Sequence, residues 1–146
     1  MPAPNTETGL RHELRRGGLR STAPRLAVLR LLRRARLPLS HGEVVARLQQ
    51  EGWDRATLYR NLVDLARAGL ARRTDLGDHV WRFAAAGPPT AHHHPHFVCR
   101  DCGQVACLEK ASVRVQPGST TQAALRNDEY EVLQKGRCDR CRKDGA

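Results

Sequence analysis

No apolar run in the chain approaches the ~18 residues that a membrane-spanning helix needs, and no apolar secretory leader opens it. The chain is therefore expected in the cytoplasm, with no membrane partner and with reduced cysteines. The cysteines number five, an odd count, which argues against a disulfide framework. There is no internal repeat. The first 83 residues contain no lysine, yet they hold 16 arginines against 8 acidic residues, whereas residues 84–146 hold 9 basic and 7 acidic residues. Most of the net charge of +10 thus sits in the N-terminal half, the half suited to a polyanion such as nucleic acid. Arginine abundance alone can also reflect a GC-rich genome. No glutamate stands beside the histidine run at 92–96, so a zinc hydrolase would want for its general base.

Against these absences, one constellation stands out. Cys99-x-x-Cys102 and Cys138-x-x-Cys141 form two knuckles, each holding two sulfurs about one metal diameter apart, and together they can close a tetrahedral thiolate cage around a structural zinc. The 35 residues between Cys102 and Cys138 exceed the ~15–20 of a compact zinc ribbon. The metal is therefore expected to clamp both ends of a small subdomain, and a chain of 146 residues with a modest core is the kind that needs such a staple. A dithiol redox protein is the competing use of such knuckles. Histidines 92, 93, 94 and 96 and the fifth cysteine, Cys107, flank the first knuckle. They leave more nitrogen and sulfur donors than one zinc uses, and a second metal is expected.

Along the chain, a short basic helix is expected over Leu10–Arg16, ended by Gly17-Gly18. Thr22 can cap a second helix, with Pro24 in its first turn and Val28, Leu29, Leu31 and Leu32 inward, ending at Leu37-Pro38. Ser40-His41-Gly42-Glu43 has the form of a capping box and opens a helix to about Gln50, with Val44, Val45 and Leu48 inward. Asp54 caps the next, to about Ala68, whose Leu58, Leu62 and Leu65 repeat at i, i+4, i+7. Its other face presents Thr57, Arg60, Asp64 and Arg67, with Tyr59 at the border, and its hydroxyl, guanidinium and phenol groups suit phosphates and base edges in a major groove. Ala71–Thr74 and Val80–Phe83 flank a turn and are expected to form a two-stranded wing. Helices followed by a hairpin are the order of a winged helix-turn-helix. Composition then places a DNA-binding domain at residues 1–83, a Gly/Pro-rich linker at 84–91 and a zinc-binding domain at 92–146. In the last, strands are expected at His96–Cys99, Val105–Leu108, Val113–Val115 and Glu129–Gln134, and a short helix at Ser119–Arg126. The fold class is α+β.

In this order, Gly18-Leu19-Arg20-Ser21-Thr22-Ala23-Pro24-Arg25, His41, Ala56-Thr57-Leu58-Tyr59-Arg60-Asn61-Leu62, the histidine run, Cys99–Gly103 and Gly136–Cys141 resemble the ferric uptake regulator family over about residues 10–142. The resemblance implies a winged-helix DNA reader, an α/β dimerisation domain, a four-cysteine structural zinc and a regulatory metal between domains. It makes Tyr59 and Arg60 recognition-helix contacts, and Arg20, Thr22 and Arg25 phosphate-contacting neighbours; Thr57, on the same helix, joins them as a DNA-binding residue on the reading of that face. It also makes His41, His94 and His96 ligands of the regulatory metal.

Two acidic positions of the family are replaced here. Arg82 stands at the end of the wing and Cys107 eight residues beyond Cys99. A thiolate in place of a carboxylate favours a softer ion, and the regulatory set is read as His41, His94, His96 and Cys107. His79 is an alternative donor, and Cys107 can instead be a small buried residue of a strand. The segment from Val115 to Glu129 is short for the family's dimerisation helix. The expected function is a metal-dependent, zinc-responsive repressor that binds double-stranded operator DNA as a homodimer. Its regulatory metal is read as Zn2+ ahead of Fe2+ or Mn2+. The alternatives are an iron- or peroxide-sensing regulator of the same family and, in another class, a zinc or dithiol enzyme.

Overall fold

Thr6 starts the first helix. Its side chain accepts the Gly9 amide, and α1 runs Glu7–Arg16 in the computed structural model of the chain. The structure describes residues 5–87, 95–114, 116, 118, 122–123 and 131–144. The helix begins three residues before the expected Leu10, because the opening turn rests on a polar cap that apolar periodicity does not register. Leu10 and Leu14 are fully buried. Gly18, at φ +74, then turns the chain in a conformation that favours glycine.

Helix α2, Ala23–Arg34, has Thr22 at its N-cap position without a side-chain cap bond, and Pro24 in its first turn. It buries Leu26, Val28, Leu29 and Leu32, while Leu31, expected inward, is half-buried. It stops at Arg34 rather than at Leu37-Pro38, since Leu39–Ser40 is drawn into a short strand, β1, paired with Phe83 and Arg82. Helix α3, His41–Arg47, carries both halves of the capping box: Glu43 N–H donates to Ser40 Oγ at 3.2 Å and Ser40 N–H to Glu43 Oε2 at 2.7 Å. A 3-10 turn, Gln49–Glu51, replaces its expected last residues. Helix α4, Arg55–Arg67, is capped by Asp54, which accepts the Thr57 amide at 2.9 Å.

The wing is β2, Ala71–Asp75, against β3, Trp81–Ala85, in antiparallel register from Ala71↔Ala85 to Asp75↔Trp81. Ala84 and Ala85, expected to begin the linker, belong to this strand, and Ala85 is buried. With β1 the order is β1-β3-β2. The buried cluster of this unit joins Leu10, Leu14, Leu29, Leu58, Leu62, Leu65 and Phe83 across all four helices and the sheet. Each fully buried leucine of that kind contributes roughly 1.5–3 kcal/mol.

The chain divides into two compact units, residues 1–86 and 87–146. In the second, β4 (His96–Cys99) pairs antiparallel with β5 (Val105–Cys107) and parallel with β6 (Leu133–Gly136), in the order β5-β4-β6. Strand β6 starts four residues later than expected. Gly136 lies against Phe97, where an added Cβ would come within 2.9 Å of the ring. A short helix, α5 (Asp139–Asp144), which periodicity did not suggest, carries Cys141. Residues 111–114 form no strand. Val115, most of Ser119–Arg126 and His92–His94 lie outside the described residues. Among the described residues, the buried hydrophobic cluster belongs wholly to the first unit, and Pro95 and Cys99 are the buried apolar residues of the second.

Candidate metal centre and nucleic-acid interface

Strand β4 ends on Cys99, the turn after it presents Cys102, and the step from β6 into α5 presents Cys138 and Cys141. The parallel pairing of β4 with β6 sets Cys99 beside Gly136 and so brings the knuckles together. The four sulfurs lie within 4.8 Å of one another, with Cys102 and Cys138 at 3.8 Å. A zinc with Zn–S bonds of ~2.3 Å in a tetrahedron separates its sulfurs by ~3.8 Å.

The backbone prepares the anions. Cys138 N–H donates to Cys99 Sγ at 3.3 Å. With the Cys102 amide it lowers the Cys99 thiol to about 6, while the hydrogen bonds that the Cys141 thiol donates to the Cys138 and Cys102 sulfurs push it up to about 12. One thiol ionises and a neighbour holds its proton, because clustered thiolates repel. A divalent cation removes that conflict, so the donor set fits zinc. Arg140 stands near Cys102, whose thiolate raises the guanidinium pKa. Arg137 is fixed to Asp101 at 2.6 Å.

A second donor pair lies on the same sheet. His96 on β4 is directly opposite Cys107 on β5, and the flanking bond from Leu108 N–H to Pro95 O, 2.8 Å, marks this as the closer, non-hydrogen-bonded kind of antiparallel pair. Imidazole and thiol therefore share one face, with Cβ atoms about 4.5–5.5 Å apart. Both are half-buried. The structure does not describe His94.

In the first unit, His41 opens α3. Its Nε2 is 2.8 Å from Arg55 O and its ring meets Tyr59 edge-on, with centroids 5.3 Å apart. A carbonyl only accepts, so Nε2 carries the proton and the lone pair of the neutral ring is on Nδ1. Metal-ligating histidines commonly show this arrangement, the second nitrogen bonded to a backbone oxygen. His79 is exposed at the wing tip with φ +60, and its amide donates to Asp75. Arg82 is held by Asp78 at 2.7 Å, and this bond lowers the Asp78 carboxyl to about 2.

The face of α4 read as a DNA surface is less uniform than its sequence suggests. Tyr59, 44% exposed, Arg60 and Arg67 point outward. The Thr57 hydroxyl is engaged by Asp54 at 2.6 Å. Asp64 holds Arg25 of α2 at 2.7 Å, and Arg25 also donates to Arg20 O at 2.8 Å. Arg25 is mostly buried, at 15% side-chain exposure, so it braces α2 against α4 from within. Arg20 and Thr22 are exposed at the start of α2.

A second brace, also unforeseen, is Arg33, which joins Glu13 at 2.6 Å to the carbonyl of Ala86 at 2.6 Å. Both braces link residues at least 20 apart in sequence, and no local pattern reveals such pairs.

The Ferric uptake regulator family model matches residues 16–132. The chain belongs to the ferric uptake regulator family. The ferric uptake regulation protein of Shigella flexneri is 30% identical over 139 residues, covering 90% of this chain and 90% of its own length. That of Pseudomonas aeruginosa is 39% identical over 98 residues, 64% of this chain and 69% of its own. The crystal structure of the Vibrio cholerae ferric uptake regulator aligns with a TM-score of 0.67 at 28% identity, over 88% of this chain and 98% of that one. As a ferric uptake regulator family member the chain is a metal-responsive, DNA-binding transcription regulator and not an enzyme. The hydrolase and dithiol readings are thereby set aside. The family match ends before Cys138 and Cys141, and the second knuckle rests on the geometry above. Among the described residues, no helix is long and apolar enough to cross a membrane.

Proposed function

We propose that this family member is a zinc-responsive repressor that binds operator DNA as a homodimer. One zinc is held by Cys99, Cys102, Cys138 and Cys141. A second, labile zinc is held by His41, His94, His96 and Cys107. The observation that carries the choice of metal is the cross-strand pairing of His96 with Cys107, which offers sulfur beside nitrogen and so suits a soft ion better than an all-oxygen and nitrogen set would. Arg82, neutralised by Asp78 in the wing, supplies no oxygen donor in place of a carboxylate. His79 is read as a turn residue.

In this reading the donors from both units engage the labile metal together, and the two winged helices of the dimer take the separation that matches two half-sites. Tyr59 and Arg60 read base edges, and Arg20 and Thr22 contact phosphates at the start of α2, where the helix dipole also favours an anion. Arg25 keeps that surface in place. Metal acts through its preference for the DNA-competent state, a coupling of ~1–3 kcal/mol or ~5–150-fold in DNA affinity.

The test is a zinc titration of binding to a duplex selected from a random pool by the wild-type chain, repeated with Cys107→Ser and His96→Ala. Both midpoints should rise by at least ~10-fold, judged against the ~10–100-fold losses for changes behind the metal ligands, with the ceiling at saturating zinc near wild type. An unchanged midpoint for Cys107→Ser beside a shifted one for His96→Ala would make Cys107 a packing residue and favour Fe(II) or Mn(II).

A further inference from the structure

His41 spans one turn of α4. Its Nε2–H bonds to the carbonyl of Arg55, the first residue of that helix, and its ring edge packs on Tyr59, four residues on. Residues at i and i+4 share a helix face, so the imidazole lies along the face that Tyr59 presents. The base under His41 is stiff. Ser40 is paired to Arg82 in the sheet and closes both halves of the capping box with Glu43. Tyr59, by contrast, is 44% exposed, and its ring packs against that of His41.

We propose that His41 is a positioning residue for DNA recognition, holding the Tyr59 ring in its reading orientation, and that the labile metal and the operator are coupled through this ring contact as well as through closure of the protein. The inference rests on the reading of His41 as a metal ligand and of Tyr59 as a base-reading residue. A metal taken by Nδ1 leaves the Nε2–H bond to Arg55 in place, so it immobilises the imidazole against Tyr59 rather than pulling it away. Linkage requires the converse: a Tyr59 ring that orients His41 tightens the labile metal.

A double-mutant cycle on the full-length chain separates this from simple ligation. His41→Ala, Tyr59→Leu, the double variant and Tyr59→Phe are titrated against a duplex selected from a random pool by the zinc-loaded wild type. Saturating zinc and low salt keep weak binding measurable. If His41 acts only by holding metal, its loss costs the same factor whatever stands at 59, and the two costs multiply. If it positions Tyr59, the double variant binds more tightly than that product, by on the order of threefold to tenfold for a contacting aromatic pair.

The second measurement is labile-zinc binding without DNA. Tyr59→Leu should weaken it about threefold, with the tight zinc untouched, and Tyr59→Phe, which keeps the ring edge, should restore it. Multiplicative DNA costs overturn the proposal, and so does an unchanged labile-zinc affinity in Tyr59→Leu. Labile zinc unaffected by His41→Ala strikes His41 from the ligand set instead, and the DNA cycle then still decides whether it positions Tyr59.

Discussion

Replacing Cys138 with serine removes one sulfur from a cluster whose members lie within 4.8 Å of one another, putting a neutral hydroxyl in place of the sulfur that lies 3.8 Å from that of Cys102. A four-thiolate zinc site has an apparent binding free energy of ~10–16 kcal/mol at neutral pH. An equal share per sulfur is ~2.5–4 kcal/mol, or a loss of about 60- to 700-fold in zinc affinity. Among its described residues, the second unit has little with which to offset that loss: they contribute nothing to the buried hydrophobic cluster, and the apolar residues buried there are Pro95 and Cys99. Binding energy at such a site is folding energy, so Cys138→Ser should unfold this unit once a chelator competes.

The assay is zinc per chain by mass spectrometry under chelator challenge, together with amide exchange. The Cys99 and Arg100 amides, bonded to Gln104 O and Gly136 O, should lose protection, while α2 and α4 keep theirs through the leucine core. Cys107→Ser, outside the cage, should leave both readouts at wild type. A Cys138→Ser chain that retained one zinc with wild-type chelator resistance and protected Cys99 and Arg100 amides would refute the cage as the staple of the unit.

Three further outcomes are expected. Arg60→Ala should lose about 1–3 kcal/mol of discrimination between the selected duplex and random DNA with its metal load intact, whereas Arg20→Ala should weaken all sequences alike and reduce the salt slope by about 1; equal binding by Arg60→Ala would remove Arg60 from base readout. Arg25→Ala and Asp64→Asn should each destabilise the first unit by about 1.5–3 kcal/mol, the range for hydrogen bonds to charged groups, and the double variant should cost much less than their sum; an unchanged melting temperature for Arg25→Ala would make that arginine a surface contact instead of a brace. Asp78, lowered from 3.8 to about 2 by its bond to Arg82, contributes stability that is present above pH 3.8 and lost as pH falls through about 2. With the Asp78 carboxyl open to solvent this amounts to at most about 1 kcal/mol, and acid melting curves of wild type and Asp78→Asn should converge below pH 2.

The helices of the first unit are legible because their information is local. The Leu58, Leu62, Leu65 period, the Ser40–Glu43 box and the Asp54 cap are each set within a few residues, and the structure places all three as expected. Ligand spacing made the four-cysteine cluster equally readable, since a knuckle is a local shape and zinc demands that two of them meet. Two of the errors fell at element ends where the deciding partner is distant: Leu39–Ser40 becomes a strand only because Phe83 and Arg82 lie beside it, and Ala84–Ala85 stay in the wing because Arg72 and Ala71 do. The roles of individual side chains were decided in three dimensions. Arg25 was expected to contact phosphate, on the resemblance, and Asp64, 39 residues on, to lie on the outer face of its helix. Folding α2 onto α4 sets them 2.7 Å apart, and a half-buried charge with a partner at that distance is held by it. His96 and Cys107 likewise come to lie opposite each other only through the antiparallel register of β4 and β5, because spacing along a chain constrains neighbours while distant residues must converge in space.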